Sequence, residues 1–269
     1  MPYHAGAMAP RKRISALGLL AALAFICAPV MARAQQASAD SSAAPTDSAA
    51  ANAVEEFPVA LGSFTTTLLG SRPERSANIR LAAEALDGAI LAPGEVLSFN
   101  LVVGPRTLGR GYQAAPVILH ETRQLQTGGG VCQVASTMFA AGLLSGLSCV
   151  ERWRHSSPVD YIAPGEDATI AWGAKDLRLR NDLDQRVRMR VRMLGSTLSV
   201  RFEGEAAPAH DYELATDERE LPADPGVEGA QPGREIELSR LRHDARGVDA
   251  REFVHRDVYP PSRGHKDAP

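Results

Sequence analysis

Charge of one sign, aromatic residues and cysteine are all scarce in this chain. Its 29 lysines and arginines nearly balance 32 aspartates and glutamates, for a net charge of −3 and a pI near 6.2. A field of that size recruits neither nucleic acid nor an anionic membrane, so any basic surface must be local. Aromatics are only 5% of the residues and hydrophobics 44%, which describes an ordinary globular protein rather than a disordered or membrane-embedded one. Cysteine occurs three times, as Cys27, Cys132 and Cys149. Beyond about Val30 no stretch approaches the roughly 20 apolar residues that a spanning helix needs, so that part is expected to be soluble outside the cytoplasm. A chain of 269 residues has room for one large domain with appendages or for two small domains.

The N-terminus has the layout of a secretory signal. Basic Arg11, Lys12 and Arg13 precede an apolar run from Ile14 to about Val30, and Ala32-Arg33-Ala34 offers small residues for cleavage. The mature chain is expected to start near Gln35 and to be exported, periplasmic or extracellular and envelope-associated. Met8 is an alternative start, because the residues before Arg11 add nothing to such a signal. A retained anchor is disfavoured by the modest length of the run, and lipid attachment at Cys27 by the bulk of Ile26 before it. Four segments follow from composition: 1–34 as signal peptide, 35–56 as linker, 57–204 as the main domain and 205–269 as a Pro/Gly-rich extension. The linker is Ala, Ser, Asp and Pro with almost nothing large and apolar, so burial cannot offset its ordering entropy. In the extension, Glu235 to Leu241 and Phe253 to Tyr259 alternate and read as a hairpin-like appendage.

Within the main domain, Phe57 to Thr67 reads as a strand. Arg72 to Leu86 reads as a helix with Ser71 as cap, Pro73 in its first turn and Gly88 just past its end. A strand is predicted through Val96, Ser98 and Val102, and another from Ala115 to Glu121. Val131 to Leu144 reads as a second helix with almost no polar face below its first turns, the composition of an interior helix. Alternation then takes over in 168–172, 177–180, 187–193 and 198–202, where one face is apolar and the other carries Arg178, Arg180, Arg188, Arg190 and Arg192. The class is α+β: a buried central helix packed on a mostly antiparallel sheet, with a second helix and the hairpin-like appendage.

Several blocks in order, GPRTLGRGY with APVI, TGGGVCQVASTMF, then GL and VER, then HSSPVDYIAPGEDATIAWGAKDLRLRND, resemble the VanW-like domain over about Phe57 to Met193, roughly half the chain. Ala135 stands where that family's glycine-cysteine box would carry serine. The resemblance implies a cell-envelope protein connected with vancomycin resistance and cell-wall proteins, and no settled molecular activity comes with it.

Chemistry therefore has to be sought in the residues. Gly128, Gly129 and Gly130 permit backbone angles that other residues avoid and leave the backbone open to a ligand. Cys132 follows in the first turn of the helix, beside unpaired N–H groups and the positive end of the dipole, and both favour thiolate. The same N–H groups can stabilise an oxyanion. A helix-start cysteine followed by a histidine on a strand and a polar residue on the next is similar to papain-like and transglutaminase-like thiol enzymes. His155 is the expected base and Asp167 its orienting carboxylate, with Asp160 and Asp176 as alternatives. Gln133 is a candidate oxyanion donor, and Arg106 and Tyr112, with Ser98 and Asn100, are candidates to line a groove.

The bland readings stay open beside these. A glycine triplet is also simply a tight structural lead-in, and a core cysteine a small apolar filler. His120, on a predicted strand, reads as structural or exposed. The arginine row holds wall carboxylates in one reading and is a solvated strand face in the other. A Cys132–Cys149 disulfide is disfavoured because about twelve helical residues span ~18 Å, beyond the ~7 Å reach of the bond. A metal site on Cys132 and His155 lacks further evident ligands, so no metal or cofactor is expected. Two functional classes remain: a thiol-dependent hydrolase or transferase acting on cell-wall peptides, and a non-catalytic envelope module that binds peptidoglycan or a protein partner through the same groove.

Overall fold

The computed structural model describes residues 56–68, 72–119, 122–223, 225, 230–244 and 247–263. The expected signal segment, the expected linker apart from Glu56, the cap expected at Ser71, and His120 with Glu121 lie outside the described residues. In chain order the elements are β1 (Val59–Thr67), α1 (Pro73–Leu86), β2 (Ile90–Leu91), β3 (Val96–Ser98), α2 (Phe99–Val103), β4 (Ala114–Leu119), β5 (Thr122–Thr127) and α3 (Val131–Leu144). They continue as β6 (Ser148–Glu151), β7 (Arg178–Arg180), β8 (Val187–Leu194), β9 (Thr197–Gly204), β10 (Asp211–Leu221), β11 (Ala230–Gln231), β12 (Gly233–Asp244), β13 (Gly247–Tyr259) and β14 (Ser262–Arg263). None of the helices among the described residues is long and apolar enough to cross a membrane.

Helix α3 is the centre of the main domain because its sequence offers no polar face to solvent. Twelve of its fourteen residues are buried, and β1, β9, α1, β6 and β10 pack around it. Met138, Phe139 and Leu143 are at most 2% exposed, each stabilising by roughly 1.5–3 kcal/mol relative to an exposed side chain. Its polar residues find partners inside the fold: Thr137 donates to the Gln133 carbonyl at 2.7 Å and meets the Thr66 hydroxyl at 2.9 Å. The flanking sheet runs in the order β1-β9-β8-β2, all antiparallel, with Met189 opposite Phe202 and Val191 opposite Val200 on the buried face. On the other face the arginines meet carboxylates of the same chain. Arg188 pairs with Glu203 at 2.6 Å, while Arg190 and Arg192 reach Asp87 at the end of α1.

Strand outweighs helix, and among the described residues the antiparallel pairing is divided among five sheets rather than one. Four local expectations change for identifiable reasons. Val102 lies in α2, not in a strand, because the Ser98 side chain accepts from the Leu101 N–H and caps a short helix. The predicted strand from Ala115 gains a partner, β5, with which β4 pairs antiparallel. Residues 168–172 form only an isolated bridge between Ala171 and Lys175. Side chains replace the ladder there: Ser136 Oγ accepts from the Ala168 N–H at 2.9 Å, and Arg152 Nε donates to the Asp167 carbonyl at 2.6 Å.

The fourth change concerns the extension. The two alternating segments do pair, as the antiparallel hairpin β12–β13, and the change is a third strand, β10, which completes the sheet β10-β12-β13 and packs on α3. Strand β10 was illegible because DYELATDEREL is mostly exposed and lacks an apolar alternation. Arg240 of β12 donates to the carbonyls of Leu143 and Leu147 at 3.3 and 2.9 Å, placing a cation where the end of α3 is negative.

The turn into α3 shows why glycine is required. Gly130 caps the helix at φ 102°, a left-handed conformation that side chains avoid. A Cβ on Gly129 would lie 2.4 Å from the Ala115 carbonyl oxygen of β4. Gly129→Ala is therefore expected to lower stability by about 1–3 kcal/mol, the usual cost of overpacking, read as a lower urea midpoint at unchanged m-value.

Candidate active site

Cys132 is the second residue of α3, and its backbone N–H has no acceptor among the described residues. The residue is half-buried. Its sulfur lies 3.5 Å from the Thr169 hydroxyl and 3.8 Å from the Ile170 carbonyl oxygen. His155, 9% exposed, lies close enough to the sulfur for the two groups to interact. The ring uses Nδ1 for Asp167 Oδ2 at 2.5 Å, which leaves Nε2 for the thiol. The same carboxylate oxygen accepts from the His155 backbone N–H at 2.8 Å, so both the ring and its backbone are fixed by one group.

Asp167 is itself held by two further side chains, Arg152 and Tyr259. Arg152 donates to Oδ1 at 2.9 Å and, through its other terminal nitrogen, to both oxygens of Asp257 at 2.6 and 2.7 Å. Tyr259 donates its hydroxyl to Oδ1 at 3.3 Å, while Arg154 lies 4.8 Å over the Tyr259 ring. Asp257 and Tyr259 belong to β13, so the C-terminal sheet reaches the site through these two side chains. Tyr161 stands edge-on to the imidazole at 6.4 Å and meets the Ser136 hydroxyl at 3.4 Å.

The electrostatics follow from these contacts. Burial alone would raise the Cys132 thiol, but the neighbouring His155 imidazole, with help from Ile170 and Thr169, pulls it from 9.0 down to about 7. Burial would lower His155, yet the hydrogen bond to Asp167 and the nearby Cys132 sulfur raise it to about 9. Asp167 would be raised by burial and is instead held below the usual carboxylate value by His155 and Arg152. Cys149, half-buried and also a free thiol, has no imidazole partner, and burial pushes it up to about 11. The two described thiols are thus driven in opposite directions.

Cys132, His155 and Asp167 are brought together, although His155 and Asp167 sit in extended loops rather than on strands. The loops are held side by side by the Thr169 N–H donating to the Trp153 carbonyl at 2.7 Å. The alternatives are placed elsewhere: Asp160 is exposed, and Asp176 accepts from Ser98 and the Asn100 N–H at 2.5 and 2.9 Å beside α2. Gln133 is not an oxyanion donor, because its side chain is consumed inside the fold. It accepts from Arg75 at 2.7 Å and donates to the Thr66 hydroxyl and Thr67 carbonyl at 2.9 and 3.0 Å. Tyr112 is 3% exposed in the core and lines no groove. Gly128, Gly129 and Gly130 do not leave room for a ligand either: Arg106, the Ala115 carbonyl and Arg75 occupy the space beside them. Arg106 half-covers the turn, with Nη1 donating to Asn100 Oδ1 at 2.7 Å and the Gly104 carbonyl at 2.9 Å.

Residues missed from sequence are Arg75, Arg152, Tyr161, Thr169, Asp257 and Tyr259, and none carries a local signal beyond its type. A cleft of about 390 Å³ lined by Arg152, Trp153, His255 and Asp257 lies behind the triad and does not include Cys132.

A model of the family described as VanW like protein matches residues 74–203. The chain is 41% identical over 140 residues to the "Uncharacterized protein YoaR" of Bacillus subtilis (strain 168), covering 52% of this chain and 46% of that one. It is 32% identical over 112 residues to the "Vancomycin B-type resistance protein VanW" of Enterococcus faecalis (strain ATCC 700802 / V583), covering 40% and 41%. It thus spans less than half the length of either curated relative. No solved structure matches. The matched segment contains α3, the glycine turn and all three members of the Cys132, His155, Asp167 cluster, so residues 74–203 are a VanW-like segment of the chain.

Proposed function

We propose that this protein is a thiol-dependent amide hydrolase or acyl transferase in which Cys132 is the nucleophile, His155 the general base and acid, and Asp167 the group that orients the ring. The observation that carries the reading is an imidazole held through Nδ1 by the Asp167 carboxylate and within interaction range of a thiol at a helix start. The thiolate attacks the carbonyl carbon, a C–S bond forms, and the oxyanion lies against the unpaired N–H of Cys132. The C–N bond then breaks, and the imidazolium gives its proton to the leaving amine. Water, or a second amine, next attacks the thioester carbon while His155 takes its proton; the C–S bond breaks, the acid or new amide leaves, and the thiolate and imidazolium are restored.

Cell-wall peptides are the substrate class we favour, and export to the envelope is the location. The secretory pattern at the N-terminus and the similarity to a protein named for vancomycin resistance support both.

The pair predicts a definite pH dependence. Below about 7 the sulfur is protonated and slow; above about 9 the imidazolium that must protonate the leaving amine is lost. Turnover of a peptide amide is expected to rise through about 7 and fall through about 9. Iodoacetamide labelling, followed by mass spectrometry, is expected to modify Cys132 with a midpoint near 7 and to spare Cys149 until far more alkaline pH. A Cys132 midpoint near 9 would remove the nucleophile and leave the binding-module reading in its place.

A further inference from the structure

The positive charges around the sulfur are not equivalent. Arg75 and Arg106 flank the glycine turn, the first against Gly130 and the second against Gly128, and both lie close enough to Cys132 to interact with its charge. Arg75 is committed to the fold: it donates to Gln133 and lies 6.0 Å over the Tyr161 ring. Arg152, behind the triad, is neutralised by Asp167 and Asp257. Arg106 is different. It is half-buried, its Nη1 meets only two neutral oxygens, and no carboxylate among the described residues pairs with it. The nearest acid that interacts with it, Asp176, is occupied by Ser98 and the backbone N–H groups of Asn100 and Leu177.

Arg110 compounds the imbalance. It also interacts with Arg106, as a like charge, and its side chain crosses Gly104 to reach only the Pro105 carbonyl. A partly desolvated guanidinium beside a second cation is unfavourable unless an anion completes it. The unused Nε and Nη2 edge of Arg106 is a planar fork suited to two carboxylate oxygens.

We propose that the substrate carries a carboxylate beside the amide that Cys132 attacks, and that Arg106, supported by Arg110, binds it. This rests on the thiol-hydrolase reading above. It makes the acceptable substrates peptides with a free carboxyl group next to the reacting bond, and disfavours neutral amides.

The test uses two alkylating probes that differ only in charge, iodoacetate and iodoacetamide, on the full chain at pH 7 and low salt. Iodoacetate is expected to be favoured at Cys132 relative to a free thiol. In Arg106→Gln the iodoacetate to iodoacetamide rate ratio, from which any change in thiolate fraction cancels, should fall by about five-fold or more, and 0.5 M salt should produce a similar fall in the wild type. Arg110→Gln, at an exposed position, gives a smaller fall in the same ratio and serves if the first variant is poorly folded. Arg106→Lys should keep much of the ratio. An unchanged ratio in both glutamine variants, with Cys132 still reactive, overturns the carboxylate proposal alone. Failure of Cys132 to react with either probe at pH 7 overturns the thiol reading and this proposal with it.

Discussion

Replacing His155 with alanine is expected to move the alkylation midpoint of Cys132 from about 7 to above 9. The reason is the balance of contributions at the sulfur. Burial pushes the thiol up, and the imidazole is the largest influence pulling it down. With the ring gone, burial dominates, as it does at Cys149, which stands at about 11. At pH 7 the thiolate fraction falls from about one half to about one in a hundred or less, a loss of about fifty-fold. The more basic thiolate is intrinsically the better nucleophile, so the labelling rate at pH 7 drops on the order of ten-fold. Amide turnover suffers more, because the proton donor to the leaving amine is also lost, and about a thousand-fold or greater loss is expected. Labelling across pH 5 to 10 with thermal melting as a folding control measures this. A midpoint that stays near 7 in His155→Ala would show that the helix start alone depresses the thiol.

Asp257→Ala is expected to cost about 3–5 kcal/mol of stability, because it breaks a buried pair by removing one partner. The Arg152 and Asp257 side chains are 6% and 7% exposed and joined by two hydrogen bonds. Arg152 keeps its bonds to Asp167, which places the loss toward the lower end of that range. Asp257→Asn preserves shape and one acceptor and should cost less. The sign of the pH effect follows from the direction of the shift. Asp257 is held below the usual carboxylate value: burial would raise it, but His255 and Arg152 outweigh that. Its contribution is therefore present at neutral pH and lost as pH falls through its folded value. Urea titrations at pH 7 and at pH 3 measure both effects. The difference between wild type and Asp257→Asn should be large at the first and shrink at the second. A loss below about 1 kcal/mol for Asp257→Ala at pH 7 would show that β13 is not anchored to the site through Arg152.

The extent of α3 was legible because each of its signals is local: three glycines that break the chain before Val131, and an apolar composition that ends at Leu144. Strands β8 and β9 were legible from strict alternation. Residues 168–172 misled because their apolar character serves burial while their backbone is satisfied by Ser136 and Arg152, side chains that no periodicity can announce. Gln133 misled in a related way. Adjacency to the sulfur in sequence suggested a role there, but successive residues of a helix point about 100° apart, and its amide faces Thr66 and Arg75.

The order Cys132, His155, Asp167, and the placement of the thiol at a helix start, were fixed by residue type and local pattern, since a glycine break and a helical composition act over a few residues. The partners of Asp167, and which arginine is left without a counter-charge, were decided only when distant segments closed on one another. Arg152 and Asp257 are 105 positions apart, and Arg75 meets Gln133 across 58. Side chains of that separation are brought together by the packing of whole sheets around α3, so their charges are paired or left unpaired by the fold and not by any stretch of sequence.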